Sequence, residues 1–464
     1  MKNTWLIYAR YLTLHSRSEL VLMNYAKIVL LFVLAWAVNQ VAPSLLAHLQ
    51  HLGGVEASIA LSLWCLGLFL FFGWASSNAA EGTLLPNFTL QLLVGIVLHD
   101  ALSPLSTQLT LSVVVCTALA AVILKSGGDE IERRDFLKIA YPTVMLAVLG
   151  YLLTFFGMFW LLTLCGMEGQ TAALLAAIIS STDPAALIPT LKQLSFKNEY
   201  QRVTHLSVAE SALNDAVGAI FTTAIAAMVW RGADVNSLTG LTDGLFSSPN
   251  LLSLGQQFLF GTVAGLIGWG GMYAFEKYKA AQGSQGIQDK PYDFALVLAV
   301  PWVTFMLAQA IHGNGFLAAF IAGLLANFNH ASHQFHGLLH SLEVKIESVA
   351  KPTIFMMVGP FVALDQLANT AWTGLGISLL FILVARPVAV MLALLPTGIS
   401  LKEKLFLCAV RETGVIPVVL AVITVAQFPN MTQLLPLTAW VVIWTLTLLP
   451  AITPWWARKL EMLK

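Results

Sequence analysis

Charge is what this sequence has least of. Charged residues fill 10% of its 464 positions while 58% are hydrophobic, against roughly 25% charged in soluble domains, and a water-soluble globular fold is excluded. Also missing is any polar stretch able to bury a core of its own. The longest connections, at residues 231–254, 276–292 and 329–351, are too short for a soluble domain, so the function must lie in the membrane. Cysteine is sparse: Cys65, Cys116, Cys165 and Cys408 are dispersed among apolar segments without paired spacing, which suggests packing residues and neither a disulfide framework nor a zinc site. The net charge of zero carries no information about acidic partners, and no nucleic-acid partner is expected.

What the chain does have is apolar runs long enough to span a hydrocarbon core roughly 30 Å thick. They fall near residues 20–42, 55–74, 84–101, 109–125, 139–160, 171–191 and 203–230, and again near 255–275, 293–311, 315–328, 352–365, 374–396, 403–427 and 433–453. The chain reads as an all-α polytopic membrane protein of about 14 transmembrane segments, in contact with lipid throughout. The first run starts at Leu20 and is too long for a signal-peptide core, which makes it a retained anchor preceded by a short interfacial helix over Met1–Glu19. With a cytoplasmic amino terminus, all but four of the 24 Lys and Arg residues fall in cytoplasmic stretches; Lys27, Arg386 and Arg411 lie inside segments and Arg231 alone lies outside. That asymmetry places both termini in the cytoplasm.

Ionisable groups at bilayer depth cost from about 2.5 kcal/mol upwards and mark function by default. The clear ones are Asp183, Glu210, Asp215, Arg386, Arg411 and Glu412. On a helix turning about 100° per residue, Glu210, Asn214, Ser207, Gly218, Ser211, Thr204, Thr222 and Asp215 share one face. Lipid cannot satisfy such a stripe. Ser211 and Asp215, one turn apart, form a pair of oxygen donors of the kind that hard cations prefer. The competing reading is that these groups only hold helices together by hydrogen bonds; it suits Ser207 and Thr222 better than the mid-span carboxylate of Asp215.

The preceding segment reads "AIISSTDPAALIPTLK", with Asp183 followed by Pro184 and Pro189, and proline disfavours continuous helix. A break there exposes carbonyls and half-helix ends, a recurrent way for transporters to hold ions; a kink with Asp183 as a cap is the alternative. A second interruption falls in "AVRETGVIPVVLAV", where Gly414 and Pro417 supply the break and Arg411 and Glu412 balance dipoles or pair with other groups. One broken helix per half points to inverted repeats. Arg386 keeps its charge and needs an anion; Glu210, at the edge of the polar stripe, is the natural partner in a structural ion pair.

The motifs "STDPAA", "ESALNDA", "ARPVAV" and "RETGVIPVVLA", in this order, resemble the sodium/proton exchanger branch of the monovalent cation/proton antiporter superfamily, over about residues 50–455. The resemblance implies an antiporter fold with inverted repeats and two crossing discontinuous helices, divided into a dimerisation part and a six-helix ion-binding core covering about residues 109–230 and 315–453. Residues 1–50 would then be a tail and one helix additional to a thirteen-helix core, and residues 456–464 a short cytoplasmic tail. By the same resemblance Asp215 is the ion and proton carrier; Asp183, Ser211 and the Thr182 carbonyl complete an alkali-cation site, while Glu210 pairs with Arg386. The third core helix, "LSVVVCTALAAVIL", lacks the acidic residue some relatives carry there.

The expected activity is exchange of Na⁺, or of K⁺ or Li⁺, for H⁺ by alternating access at a carboxylate, serving pH homeostasis in a homodimer of a bacterial inner membrane, with no cofactor and no enzymatic step. A bare carboxylate is the costliest state to carry across the low-dielectric barrier. Exchange follows, because only the cation-loaded or protonated site reorients. Asn214 stands where a second aspartate would add a second proton, which favours one proton per cation. A cation channel, an intramembrane aspartyl protease using Asp183 and Asp215, and a carrier of some other solute remain as alternatives. His330, His333, His336 and His340 fall within an arc of about 120° on a helix, open to reading as a metal site, a pH sensor or a solvated face.

Overall fold

The computed structural model describes residues 2–51, 53–83, 85–182, 191, 194–283, 293–329, 333–410 and 412–464. Among them the chain is all helical, and the one pairing of extended backbone is an antiparallel bridge between Phe196 and Leu463. The helices are α1 (Lys2–Gln50), α2 (Gly54–Ala80), α3 (Asn87–Val97), α4 (Pro104–Thr107), α5 (Leu109–Asp129), α6 (Arg133–Val144), α7 (Tyr151–Leu164), α8 (Gly169–Ile179) and α9 (Arg202–Trp230). They continue with α10 (Leu238–Leu245), α11 (Ser248–Ala281), α12 (Asp293–Ala310), α13 (Gly315–Phe328), α14 (His333–Met356), α15 (Leu364–Asn369), α16 (Ala371–Leu380), α17 (Arg386–Ala393), α18 (Leu401–Cys408), α19 (Val415–Gln427) and α20 (Leu434–Lys459).

Among the described residues eight helices are long and apolar enough to cross a membrane, and five shorter apolar helices accompany them. Large apolar side chains face outward, Trp36, Leu63, Trp230 and Trp372 among them. Only a hydrocarbon surrounding solvates such a surface, so the protein is a multi-pass membrane protein. The α9 helix is the exception in its setting. Some 78% of its most apolar window is buried inside the protein, so its polar stripe faces neighbouring helices rather than lipid.

Two stretches repeat one design. The α6–α7 pair is joined by a π-helical turn at Met145–Gly150 and the α16–α17 pair by another at Phe381–Ala385. Each pair is followed by an interrupted segment and then by a long helix, α9 in the first half and α20 in the second. The helices that border the two interruptions pack together, α8 on α19. The break after α8 begins at Ser180, while the second lies between α18 and α19, with 409, 410 and 412–414 outside helix. Pro417 sits in the first turn of α19, where an absent N–H costs no intrahelical bond; Gly414 is the residue at which the chain enters that helix.

Three expectations change. The segment placed at 352–365 is a helix from His333 to Met356 followed by a short 3₁₀ turn. The polar connection assigned to 329–351 is thus largely part of α14, where Glu343 pairs with Lys125 of α5 while Glu347 and Lys351 pair within the helix. The amino-terminal helix is continuous, without a separate interfacial element before Leu20. At the other end α20 runs through Lys459, and the residues after it are tied to the loop before α9 by Lys197 N–H to Met462 O and Lys464 N–H to Ser195 O, both 2.9 Å. Of the cysteines, Cys65 and Cys116 are buried and Cys165 is exposed, and none forms a disulfide among the described residues.

The α5 and α13 helices cross at glycines. A Cβ added at Gly323 would collide with the Lys125 carbonyl oxygen, and one at Gly128 with the Phe320 carbonyl oxygen. Small residues let membrane helices approach to backbone contact, and this crossing fixes the end of α5 beside α14.

Candidate functional site

The α9 stripe lies where its residues can act together. Ser207, Glu210, Ser211, Asn214, Asp215 and Thr222 are all buried. Asp215, only 5% exposed, meets the chain just beyond α8: Ser181 Oγ donates to Asp215 Oδ1 at 2.6 Å. Ser211, one turn earlier on α9, donates its hydroxyl to the Thr182 carbonyl oxygen. Two consecutive residues of the interrupted segment are therefore gripped by two hydroxyl and carboxyl groups spaced one turn apart. The carbonyl of Thr182 is free to receive Ser211 because helix has ended; inside a helix it would be committed to the backbone ladder.

Close packing enforces this arrangement. A Cβ at Gly218 would stand 2.8 Å from Ser181 Cβ, so only glycine lets α9 lie this near the interrupted chain. Tyr151 holds the other side, donating its hydroxyl to the Ala177 carbonyl at 2.8 Å in the last turns of α8.

Arg386 begins α17 directly after the π turn, and a π turn re-aims the side chains that follow it. Its guanidinium, 1% exposed, donates to Thr182 Oγ1 at 2.9 Å and to Thr154 Oγ1 at 3.2 Å, with the Phe381 ring 5.8 Å from its central carbon. The expected Glu210–Arg386 ion pair is not formed among the described residues. Glu210 Oε1 instead accepts from Asn214 Nδ2 at 3.1 Å. The physical reason is that hydroxyls and an aromatic face already surround the cation. Arg386 reaches α9 through Thr182, whose hydroxyl accepts from Arg386 while its carbonyl accepts from Ser211.

Asp183, Pro184 and Arg411 lie outside the described residues. Glu412 is buried beside the second break, where Thr413 N–H donates to Thr445 Oγ1 of α20 at 3.1 Å. Sequence reasoning missed Ser181, Thr154 and Tyr151 as site neighbours. Ser181 had a signal, since it stands two residues before Asp183 in a segment already read as interrupted; Thr154 and Tyr151, on an otherwise apolar helix, had none.

A cavity of about 540 Å³ approaches the site between α5, α6, α9, α13 and α14, and its lining includes Asp129, Thr204, Val208, Ala209, His336 and His340. It reaches the residue before Glu210. A second cavity, about 440 Å³, is lined by Thr171 at the start of α8, by Leu162 and by Met431, and touches no residue of the site.

Beside the bilayer-depth groups, Arg202 at the start of α9 holds Glu403 of α18 in a two-bond fork, Nε to Oε1 at 2.6 Å and an amino nitrogen to Oε2 at 2.7 Å. Glu403 closes a capping box with Ser400. The starts of the long helix of one half and the interrupted helix of the other are so joined.

A family model described as sodium/hydrogen exchanger, transmembrane, matches residues 66–459. The chain is 28% identical over 320 residues to the K(+)/H(+) antiporter NhaP2 of Shewanella oneidensis, covering 68% of this chain and 50% of that one; it thus spans about half the length of such relatives. It is 26% identical over 382 residues to Na(+)/H(+) antiporter 1 of Methanocaldococcus jannaschii, covering 78% of this chain and 83% of that one. The structure of the sodium proton antiporter MjNhaP1 from Methanocaldococcus jannaschii at pH 8 superposes with a TM-score of 0.71 at 22% identity, covering 87% of this chain and 99% of that one. The fold is accordingly the antiporter fold, with its inverted repeats and crossing discontinuous helices, and the chain belongs to the sodium/hydrogen exchanger family.

Proposed function

We propose that this protein exchanges an alkali cation for a proton across the membrane, with Asp215 as the group that carries either one. The observation supporting this most directly is a buried carboxylate on α9 held by Ser181 of the interrupted segment, with Ser211 and the Thr182 carbonyl gathered beside it. In this reading Asp183 joins them as a second oxygen ligand. A dehydrated cation needs several oxygen donors, and the Ser211 hydroxyl turns from donor to ligand by rotating its proton away. Asn214 supplies no charge, so one proton balances one monovalent cation. Arg386 is a fixed positive charge that anchors Thr182; Arg411, Glu412, Gly414 and Pro417 support the second break.

Relatives named for both potassium and sodium exchange support alkali-cation antiport and leave the choice between Na⁺ and K⁺ to experiment. In this reading the protein sits in a bacterial inner membrane; the placement of basic residues supports both termini in the cytoplasm, and the family fold supports a homodimer. The cavity bordered by Val208 and Ala209 then opens to the cytoplasm.

The test is cation-dependent dissipation of a pH gradient in proteoliposomes, comparing Na⁺, K⁺ and Li⁺ with and without a potential clamp. One-for-one exchange is expected to be insensitive to an imposed potential, and a strong response to it refutes electroneutrality. Steady currents far above carrier turnover without proton coupling would instead identify a channel. Ser211→Ala is expected to raise the half-saturating cation concentration about tenfold, the equivalent of one lost ligand or hydrogen bond of about 1.4 kcal/mol; an unchanged value removes Ser211 from the site.

A further inference from the structure

A second cluster of ionisable side chains lies away from Asp215, at the junction of α5, α11 and α14. Asp129 Oδ2 stands 3.4 Å from His340 Nδ1. Asp129, His340 and Glu343 each offer one ligand atom, all within 4.8 Å of one another. His340 and Glu343 sit three apart on α14, hence on one face of the helix, and Asp129 ends α5 opposite them.

Glu343 is held by one oxygen and leaves the other available. Glu343 binds Lys125 through Oε1, while its Oε2, in a side chain with no exposed surface, has no hydrogen-bond partner among the described residues. Asp129 has Oδ1 3.3 Å from His336 Nε2 and turns Oδ2 to His340. His336 in turn places Nδ1 3.5 Å from Glu276 Oε1. Such a carboxylate–histidine relay, together with a lysine on the remaining ligand, orients metal ligands in the way outer hydrogen bonds commonly do.

We propose that Asp129, His340 and Glu343 form a binding site for a divalent transition cation of the zinc class. One imidazole and two carboxylates suit Zn²⁺ rather than Mg²⁺ or Ca²⁺, which take oxygen alone. Bonds of about 2.0–2.2 Å in a tetrahedron separate two ligand atoms by about 3.4 Å, the separation already present between Asp129 and His340. The local charges agree. Asp129, Glu276 and Glu343 surround Lys125, so with neutral histidines the carboxylates carry negative charge in excess, which a bound cation offsets. Asp129 and His340 line the 540 Å³ cavity, which gives the metal a route in. Water completes the fourth position. Located on the cavity wall, a bound dication adds positive charge to the approach used by a transported cation, and under the proposed transport function Zn²⁺ slows exchange.

The site is tested on the purified full-length chain, independently of transport. After chelator treatment, Zn²⁺ is added, and bound metal is counted by equilibrium dialysis with elemental analysis while thermal unfolding is followed in parallel. One Zn²⁺ per chain is expected, with a raised unfolding midpoint; His340→Ala and Glu343→Gln weaken binding at least about tenfold, and His205→Ala, elsewhere on the cavity wall, leaves it unchanged. Should Glu343→Gln fail to fold because Lys125 loses its partner, His340→Gln serves in its place. The proposal is overturned if the native chain binds no Zn²⁺, if the stoichiometric binding survives both His340 variants, or if Mg²⁺ competes at equal concentration. Loss of exchange activity with retained Zn²⁺ binding would refute the transport reading alone.

Discussion

Asp215→Asn is expected to abolish cation-dependent proton flux in proteoliposomes while leaving a folded protein. The substitution keeps the side chain's shape and one oxygen that can accept from Ser181, which now donates to Asp215 Oδ1 at 2.6 Å. What it removes is the ability to be either charged or protonated. A neutral amide in this buried place has a smaller desolvation cost than a carboxylate, so the thermal midpoint should equal or exceed that of the native chain. Flux should fall by at least about two orders of magnitude, since loss of a charge-assisted ligand in a dry site costs about 3 kcal/mol. Retained exchange in this variant would remove Asp215 from the transport mechanism. A collapsed midpoint would mean the carboxylate serves the scaffold, a role the geometry gives instead to Arg386 and Thr182.

The second large effect concerns stability. Gly323→Ala and Gly128→Ala should each destabilise the protein by about 3 kcal/mol or more, because the added methyl meets backbone carbonyl oxygens that cannot move without parting α5 from α13. Gly127→Ala is the control. Its Cβ would have Ala212 Cβ at 3.7 Å as the one neighbour within 4 Å, an ordinary contact, and alanine is favoured over glycine in a helix by up to about 1 kcal/mol. Three neighbouring glycine substitutions should thus divide into two severe and one neutral or mildly stabilising, as read by tryptophan fluorescence during heating in detergent. Equal midpoints for Gly127→Ala and Gly128→Ala would show that the helices do not approach as described. Because Asp129 and Lys125 flank this crossing, the severe variants should also disturb the charged cluster on α14.

Much of the architecture was legible because hydrophobic length and charge placement report directly on a bilayer. The apolar runs, the two interruptions and the inward-facing stripe of α9 all follow from what lipid refuses to solvate. Asp215 and Ser211 could be paired from spacing, being one turn apart on α9, whereas Thr182 joined them only through the resemblance of the motifs to the exchanger family. The α14 helix was harder. Much of it is rich in histidine and charge, so it reads as a cytoplasmic connection, yet Asp129, Glu276 and Lys125 from other helices meet its His336, His340 and Glu343.

Pairing was where sequence reasoning met its limit. A buried arginine needs compensation, and the nearest unassigned acid in the motif pattern was Glu210; in the structure Arg386 is answered by two threonine hydroxyls and a phenyl ring, contributed by α7, the interrupted segment and the π turn. The sequence by itself determined that this chain spans a membrane, where it breaks helix, and which carboxylates cannot face lipid, because each of these depends on one residue and its solvent. Only the tertiary structure decided which side chain meets which. Hydrogen bonds depend on angstrom-scale approach between helices far apart in the chain, and that approach is set by glycine crossings and π turns whose consequences no local pattern reveals.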